Sequence, residues 1–252
     1  MSSIQVVCVG VITVDTVALV DKYPAADERV LAEAIVRNCG GPATVAAIAL
    51  SRLGIKSAIV GTVGDDEDGW LALDTLKREG VEVFGVNVSE SPTSGSVIVA
   101  SKSQSTRAIS TRQPITQMAP NDHAKKLAAS ADWIHVDHVG INNLTALGIT
   151  RGQGPKISFD AGYGAKNFDV KLVDLFAPND RQMSERYPDL DIAAAVQRDA
   201  EIGENVVVAT MGSKGSIGFS KNTGLVNAAP IRTDIVSTLG DRKSTRLNSS
   251  HE

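Results

Sequence analysis

The chain has 252 residues, 42% of them hydrophobic, which is enough to bury a substantial core as one domain and excludes disorder as the default state. Its 29 acidic and 25 basic residues leave a formal net charge of −4, and no Lys or Arg run forms a stripe for phosphates, so no nucleic-acid partner is expected. The two cysteines lack metal-ligand spacing and are expected to be reduced thiols; with no basic leader before Ile4 and no apolar stretch of spanning length, a cytoplasmic protein with no membrane partner is expected.

In chain order, residues 4–10 form a β-branched run closed by Gly10, the pattern of a strand buried on both faces in a parallel sheet. Residues 16–37 are largely extended. Pro42 stands at the first turn of an Ala-rich helix that ends at Gly54, and Asp68–Glu79 repeats the pattern up to Gly80. Strand-like runs follow at Ser57–Val63, Trp133–Asp137, Lys156–Asp160 and Asn205–Thr210, with helix-like segments between most of them, which is α/β alternation. Gly95–Ala100 and Thr106–Arg112 alternate around the polar turn Ser101–Ser105 and are expected to pair with the extended 16–37 stretch as a small separate sheet.

The last twelve residues, 241–252, have no periodicity and one leucine. Codons permitted for that string include the start of a common sequencing-library adapter, so a non-native tail is expected there and fold reasoning stops at Gly240.

Several residues carry chemistry. Asp15 ends the run Val9-Gly10-Val11-Ile12-Thr13-Val14, where a carboxylate can accept two hydroxyl hydrogens from adjacent carbons or simply shape a turn. Gly40-Gly41 precede the Pro42 helix; paired glycines admit a ligand close to backbone N–H groups, although such a pair is also an ordinary loop. Asp65-Asp66-Glu67-Asp68 lacks the alternating spacing of a calcium loop and reads as carboxylates at a helix start. Asp137 ends a strand between His135 and His138, a poor metal set. Thr210-Met211-Gly212-Ser213-Lys214-Gly215 is a strand running into a glycine turn.

Taken in order, the block around Asp15, the block Gly40-Gly41-Pro42-Ala43-Thr44 with Arg52-Leu53-Gly54 and Gly64-Asp65-Asp66, the strand ending at Asp137, and the Thr210–Gly215 turn resemble the ribokinase-like (PfkB-type) carbohydrate kinases. The resemblance spans nearly all of residues 4–240. It implies a doubly wound, mostly parallel α/β domain over 1–240 with a small β lid from about 16–37 and 94–112, and ATP-dependent transfer of phosphate to a sugar hydroxyl with Mg2+. Asp15, Gly40, Gly41 and Asp137 would face the sugar. Asn179, Thr210, Gly212, Gly215 and Gly240 would face ATP and its phosphates, and the lid could pair two copies as a homodimer.

Three positions depart from the family pattern: Val45 where an Asn is usual, Gln182 for the Glu of Pro-Asn-x-x-Glu, and Ser237 for the first acid of Asp-Thr-x-Gly-Ala-Gly-Asp. The base that closes that last motif would follow Gly240, and Asp241 comes too soon to be it. The chain as written is therefore expected to lack the C-terminal part of the fold and its catalytic base, and to be inactive; no metal ligand is assigned. The opening blocks are similar to ketohexokinases and to bacterial ketohexose kinases, which favours a ketohexose-like sugar. A sugar-sensing relative without catalysis and a nucleoside kinase stay open, whereas a Rossmann dehydrogenase is disfavoured because Gly10 lacks the Gly-x-Gly-x-x-Gly pattern.

Overall fold

A computed structural model describes residues 3–230 apart from 105, 114, 116, 117, 161, 163 and 164, so Ser237, Gly240 and 241–252 lie outside the described residues. The first β-branched run forms β1 (Val6–Val9), which has a parallel partner on each side. The chain then leaves this sheet for β2 (Thr13–Val20) and β3 (Ala32–Gly40) and returns through α1 (Pro42–Arg52), β4 (Ser57–Gly64), α2 (Glu67–Arg78) and β5 (Glu82–Ser89). A second excursion makes β6 (Ser94–Ser101) and β7 (Thr106–Thr111). The remainder runs through α3 (Asp122–Ser130), β8 (Trp133–Val136), α4 (Leu144–Leu147), β9 (Lys156–Phe159), β10 (Leu175–Phe176), α5 (Asp180–Arg186), α6 (Ile192–Gly203), β11 (Val206–Thr210), β12 (Ser216–Ser220) and β13 (Gly224–Ala228).

The large sheet has the order β13-β12-β11-β10-β9-β8-β1-β4-β5, parallel except for β12 and β13 at one edge. From β1 the chain builds outward to β4 and β5 on one side, and from β8 it builds outward on the other. Connections leaving β1 and β8 therefore diverge, and their carboxyl ends border a crevice, the usual ligand position in an open α/β sheet.

Both faces of the sheet are covered by helices. Val7, Val9, Val60, Ile134, Ile157 and Phe176 pack with Ala124 and Ala128 of α3 and Val196 and Ala200 of α6. Cys8, Ile12, Ile59 and Val63 pack with Ala43, Ala46 and Ala47 of α1 and Leu76 of α2. Small side chains on α1 let that helix sit close to the sheet, and each large aliphatic buried here contributes about 1.5–3 kcal/mol. Helix ends follow the sequence reading. Gly54 and Gly80 adopt positive φ just beyond α1 and α2, with Ile55 and Val81 N–H groups closing back on Leu50 and Leu76 carbonyls.

The excursions form a four-stranded sheet, β3-β2-β6-β7, in which β2 pairs antiparallel with β3 and parallel with β6. This is the expected lid, with one difference: residues 21–31 are loop, so the extended 16–37 stretch is two strands around an exposed connection. Arg29 lies exposed in that connection.

Candidate active site at the lid and sheet crevice

Register places Asp15 of β2 opposite Asn38 of β3 and Ser96 of β6, so the carboxylate is flanked by polar side chains from both neighbours. Its Oδ1 is shut off from solvent and meets no hydrogen-bond donor at ordinary geometry, with the hydroxyl of Thr13 two residues before it on the same strand. Burial pushes the Asp15 carboxyl above the ordinary carboxylate range, with the nearby polar groups of Ser96 and Thr13 drawing it partly back. An orphaned buried carboxylate oxygen is costly unless a ligand donor meets it.

The glycine pair is fixed by crowding. A Cβ at Gly40 would overlap the Asp15 carboxylate and lie 2.8 Å from the Thr13 hydroxyl oxygen. Gly41 has φ 98°, where side chains are strained, and a Cβ there would overlap the Val11 carbonyl. Beside them, burial and then the Asp15 charge push the Cys39 thiol up to about 12, which keeps it protonated.

Asp137 occupies a different environment from Asp15. It is wholly buried; Oδ2 accepts from Val11 N–H at 2.7 Å, and Oδ1 accepts from Val139 and Gly140 N–H, each at 2.9 Å. A Cβ at Gly10 would overlap this carboxylate. The carbonyl of Val11 in turn accepts from Thr44 Oγ1 at 3.1 Å. Asp137, expected to face the sugar, has its carboxylate engaged by three backbone donors and clamps the ends of β1 and β8 beneath the Gly41 floor.

The expected nucleotide-side residues gather at the carboxyl ends of β10 and β11. β11 is three strand spacings from β8, about 14–15 Å away. Asn179 bridges to Thr210 and caps α5, its side chain accepting from Gln182 N–H at 2.8 Å. Gly212 has open space where a Cβ would stand, whereas a Cβ at Gly215 would overlap the Ala228 carbonyl, so Gly215 serves the β12–β13 pairing. Gly240 lies outside the described residues.

Gln182, expected only as a lost charge, has both ends of its amide engaged. Oε1 accepts from Asn179 N–H at 2.8 Å, completing a capping box, and Nε2 donates to the Gly162 carbonyl at 2.7 Å. Gln182→Glu would set a carboxylate oxygen against that carbonyl. Urea melts are expected to show a loss of about 1–3 kcal/mol at neutral pH, shrinking in acid as the Glu protonates and can donate again.

Among the described residues no group of three or more His, Cys, Asp or Glu is placed to hold a metal ion, and no helix is long and apolar enough to cross a membrane. The sequence reading missed Thr13 and Ser96. Thr13 was discoverable two positions before Asp15, whereas Ser96 needed the strand register.

The pfkB family carbohydrate kinase model matches residues 3–240. An uncharacterized sugar kinase of Archaeoglobus fulgidus is 30% identical over 203 residues, 76% of this chain and 80% of that protein. A fructokinase of Solanum tuberosum is 30% identical over 154 residues, 56% of this chain and 48% of its own length, so the match spans about half of that relative. A structure of Arabidopsis thaliana ribokinase complexed with ribose and ATP superposes with a TM-score of 0.75 at 20% identity, covering 93% of this chain and 80% of the other. The likeness to ketohexokinases expected from the opening blocks is not what these matches carry; they are ribokinase- and fructokinase-like.

Proposed function

Because the chain belongs to the pfkB family of carbohydrate kinases, we propose that the protein transfers a phosphoryl group from ATP to a hydroxyl of a sugar seated between the lid and the carboxyl ends of β1 and β8. The observation that carries this reading is the buried, unpartnered Asp15 oxygen beside the Thr13 hydroxyl and the glycine pair. Adjacent sugar hydroxyls are donors of the right geometry for a carboxylate, and the glycine floor leaves their ring room close to the backbone.

A ketohexose-like sugar is favoured, supported by the identity to a fructokinase; a pentose is the alternative, since the superposed ribokinase holds ribose. ATP would lie toward Asn179, Thr210 and Gly212, so that its γ-phosphate points along the sheet edge to the sugar. Asp15 orients the sugar. Asp137 keeps the loops after β1 and β8 in place below it, and Gln182 holds α5 and its Asn179 cap at the nucleotide end. The described residues do not form a protein cage for Mg2+, and the neutral Gln182 adds no charge to one. The ion would enter on the nucleotide's own phosphates.

The base expected three residues after Gly240 has no counterpart at that offset, where this chain reads Lys243. The 252-residue chain is accordingly proposed to bind sugar without turning it over, which also describes the regulatory alternative. A second copy is the proposed partner of the lid, whose Ile35, Val97 and Ile109 are exposed.

Two assays separate these readings. Calorimetric titration of the chain with fructose and with ribose is expected to give saturable binding. A version extended with the Ala-Gly-Asp motif and following helices of the family is expected to release ADP only when one of these sugars is present. Absence of binding to either sugar would overturn the site assignment, and binding without turnover in a folded, extended chain would favour the regulatory relative.

A further inference from the structure

Asp66 stands at the N-terminus of α2, yet only one of the three bonds to its carboxylate serves that helix. Oδ1 accepts from Gly69 N–H at 2.8 Å as a cap; the same oxygen accepts from the Thr93 hydroxyl at 2.6 Å, and Oδ2 accepts from Thr93 N–H at 2.8 Å. Thr93 is wholly buried and immediately precedes β6, where the chain passes from the core sheet into the lid. Its hydroxyl also accepts from Gly64 N–H at 2.8 Å, at the end of β4. Its carbonyl accepts from Arg112 Nη1 at 3.0 Å, and Arg112 immediately follows β7, where the chain leaves the lid. Both passages of this excursion between core and lid therefore close on one residue, and Asp66 holds that residue by two bonds.

The clamp reaches the site through strand register. Ser94 pairs with Thr13, Gly95 with Val14 and Ser96 with Asp15, so the position of Thr93 fixes how far β6 extends along the strand that carries Asp15. Space at the clamp is tight: a Cβ on Gly69 would overlap the Gly64 carbonyl, and one on Gly64 would stand 2.6 Å from Thr93 N. Burial works to raise the Asp66 carboxyl, but the bonds from Thr93 and Gly69, with the Arg112 charge behind them, hold it below the ordinary carboxylate range. A cap alone could be supplied by Ser, Thr or Asn. Two further acceptors aimed at a residue 27 positions away cannot be supplied by a hydroxyl.

We propose that Asp66 is a positioning residue for the sugar site: through Thr93 it sets β6, and with it the lid wall beside Asp15, against the core. The sugar part of this proposal rests on the reading of the site given above, and the clamp is tested separately from it. Asp66→Asn keeps a good helix cap but turns an amide N–H2 toward Thr93 N–H. Hydrogen exchange of the 252-residue chain is expected to speed up about tenfold or more at 93–98, with α2 amides 71–78 unchanged within about twofold. Thr93→Ser, which retains both donors, should behave as wild type. Calorimetry should show affinity for whichever of fructose or ribose the wild type binds to weaken about tenfold in Asp66→Asn, with ATP affinity unaltered.

Unchanged exchange at 93–98 overturns the clamp, and so does equal acceleration of α2 and residues 93–98, which is the signature of a lost cap. Faster exchange with unaltered sugar affinity overturns the link to the site. A wild type that binds neither sugar would overturn the sugar reading and with it this role, while the exchange result still judges the clamp. If Asp66→Asn does not fold, Arg112→Gln loosens the same carbonyl, and unaltered exchange at 93–98 there overturns the proposal.

Discussion

Asp15→Asn is expected to weaken sugar binding by about a hundredfold or more while leaving ATP affinity within about twofold. A carboxylate that accepts two hydroxyls makes two charge-assisted bonds, each about 1.5–3 kcal/mol, and an amide keeps at most one neutral acceptor. Losing about 3 kcal/mol corresponds to roughly two decades in the dissociation constant. The pH dependence has a definite sign. Burial raises the Asp15 carboxyl in the sugar-free protein, and hydroxyl donors favour the ionised form, so binding releases a proton near that raised pKa. Sugar affinity should therefore fall as pH drops through the raised value, and Asp15→Asn should lack that dependence. Without sugar, the charged form of Asp15 is disfavoured in the folded state, so its cost to stability grows as pH rises from the ordinary carboxylate value through the raised one. Asp15→Asn should accordingly melt no lower than wild type at neutral pH. Calorimetry at a series of pH values reads all three outcomes. Wild-type sugar affinity and pH dependence in the variant would remove Asp15 from the site.

Asp15 and Gly41 were legible because their chemistry is local. A carboxylate at the end of a β-branched run and a glycine before a Pro-led helix declare themselves within a few residues, and β1, β4 and the alternating lid strands do so by periodicity. Asp137 was not legible in the same way. The family resemblance implied a sugar contact there, yet its partner Val11 is 126 residues away, and only folding shows that three N–H groups use the carboxylate. Asp66 was half legible: a helix-start acid is a local signal, whereas its bonds to Thr93 are not. Gln182 shows what a departure from a family pattern leaves unseen. The missing charge is visible in the sequence, but the carbonyl of Gly162 that the amide gains is not. β10 is two residues long and pairs on both sides, too short for any periodicity to mark it. The antiparallel β12 and β13 lie beyond the last βα unit, where nothing in α/β alternation announces a hairpin.

Breaking the ion pair between α5 and α6 should cost the described fold about as much as truncating a large buried core side chain. Arg186 Nε lies 2.8 Å from Asp199 Oδ2; the arginine side chain is 10% exposed and the aspartate not at all. Tyr187 donates its hydroxyl to Asp199 at 2.6 Å, and burial followed by the Asp199 carboxylate holds that phenol above its ordinary range. Arg186 Nη1 also donates to the Ala165 and Lys166 carbonyls at 2.9 and 3.1 Å, so the pair ties α5 to α6 and to the segment before β10. Asp199→Ala leaves a guanidinium without its counter-charge in a site that excludes water, for which about 3–5 kcal/mol is typical. In a domain of this size that lowers the melting temperature by about 6–20 °C. The pair as such need not be that valuable, because desolvating two charges offsets much of their attraction. Arg186→Met combined with Asp199→Leu should therefore recover more than half of the loss in Asp199→Ala. A double-mutant cycle from urea melts measures this directly. A loss below about 1 kcal/mol in Asp199→Ala would mean that the guanidinium swings out to water, and that α5 is held over the nucleotide end by Gln182 and its cap instead.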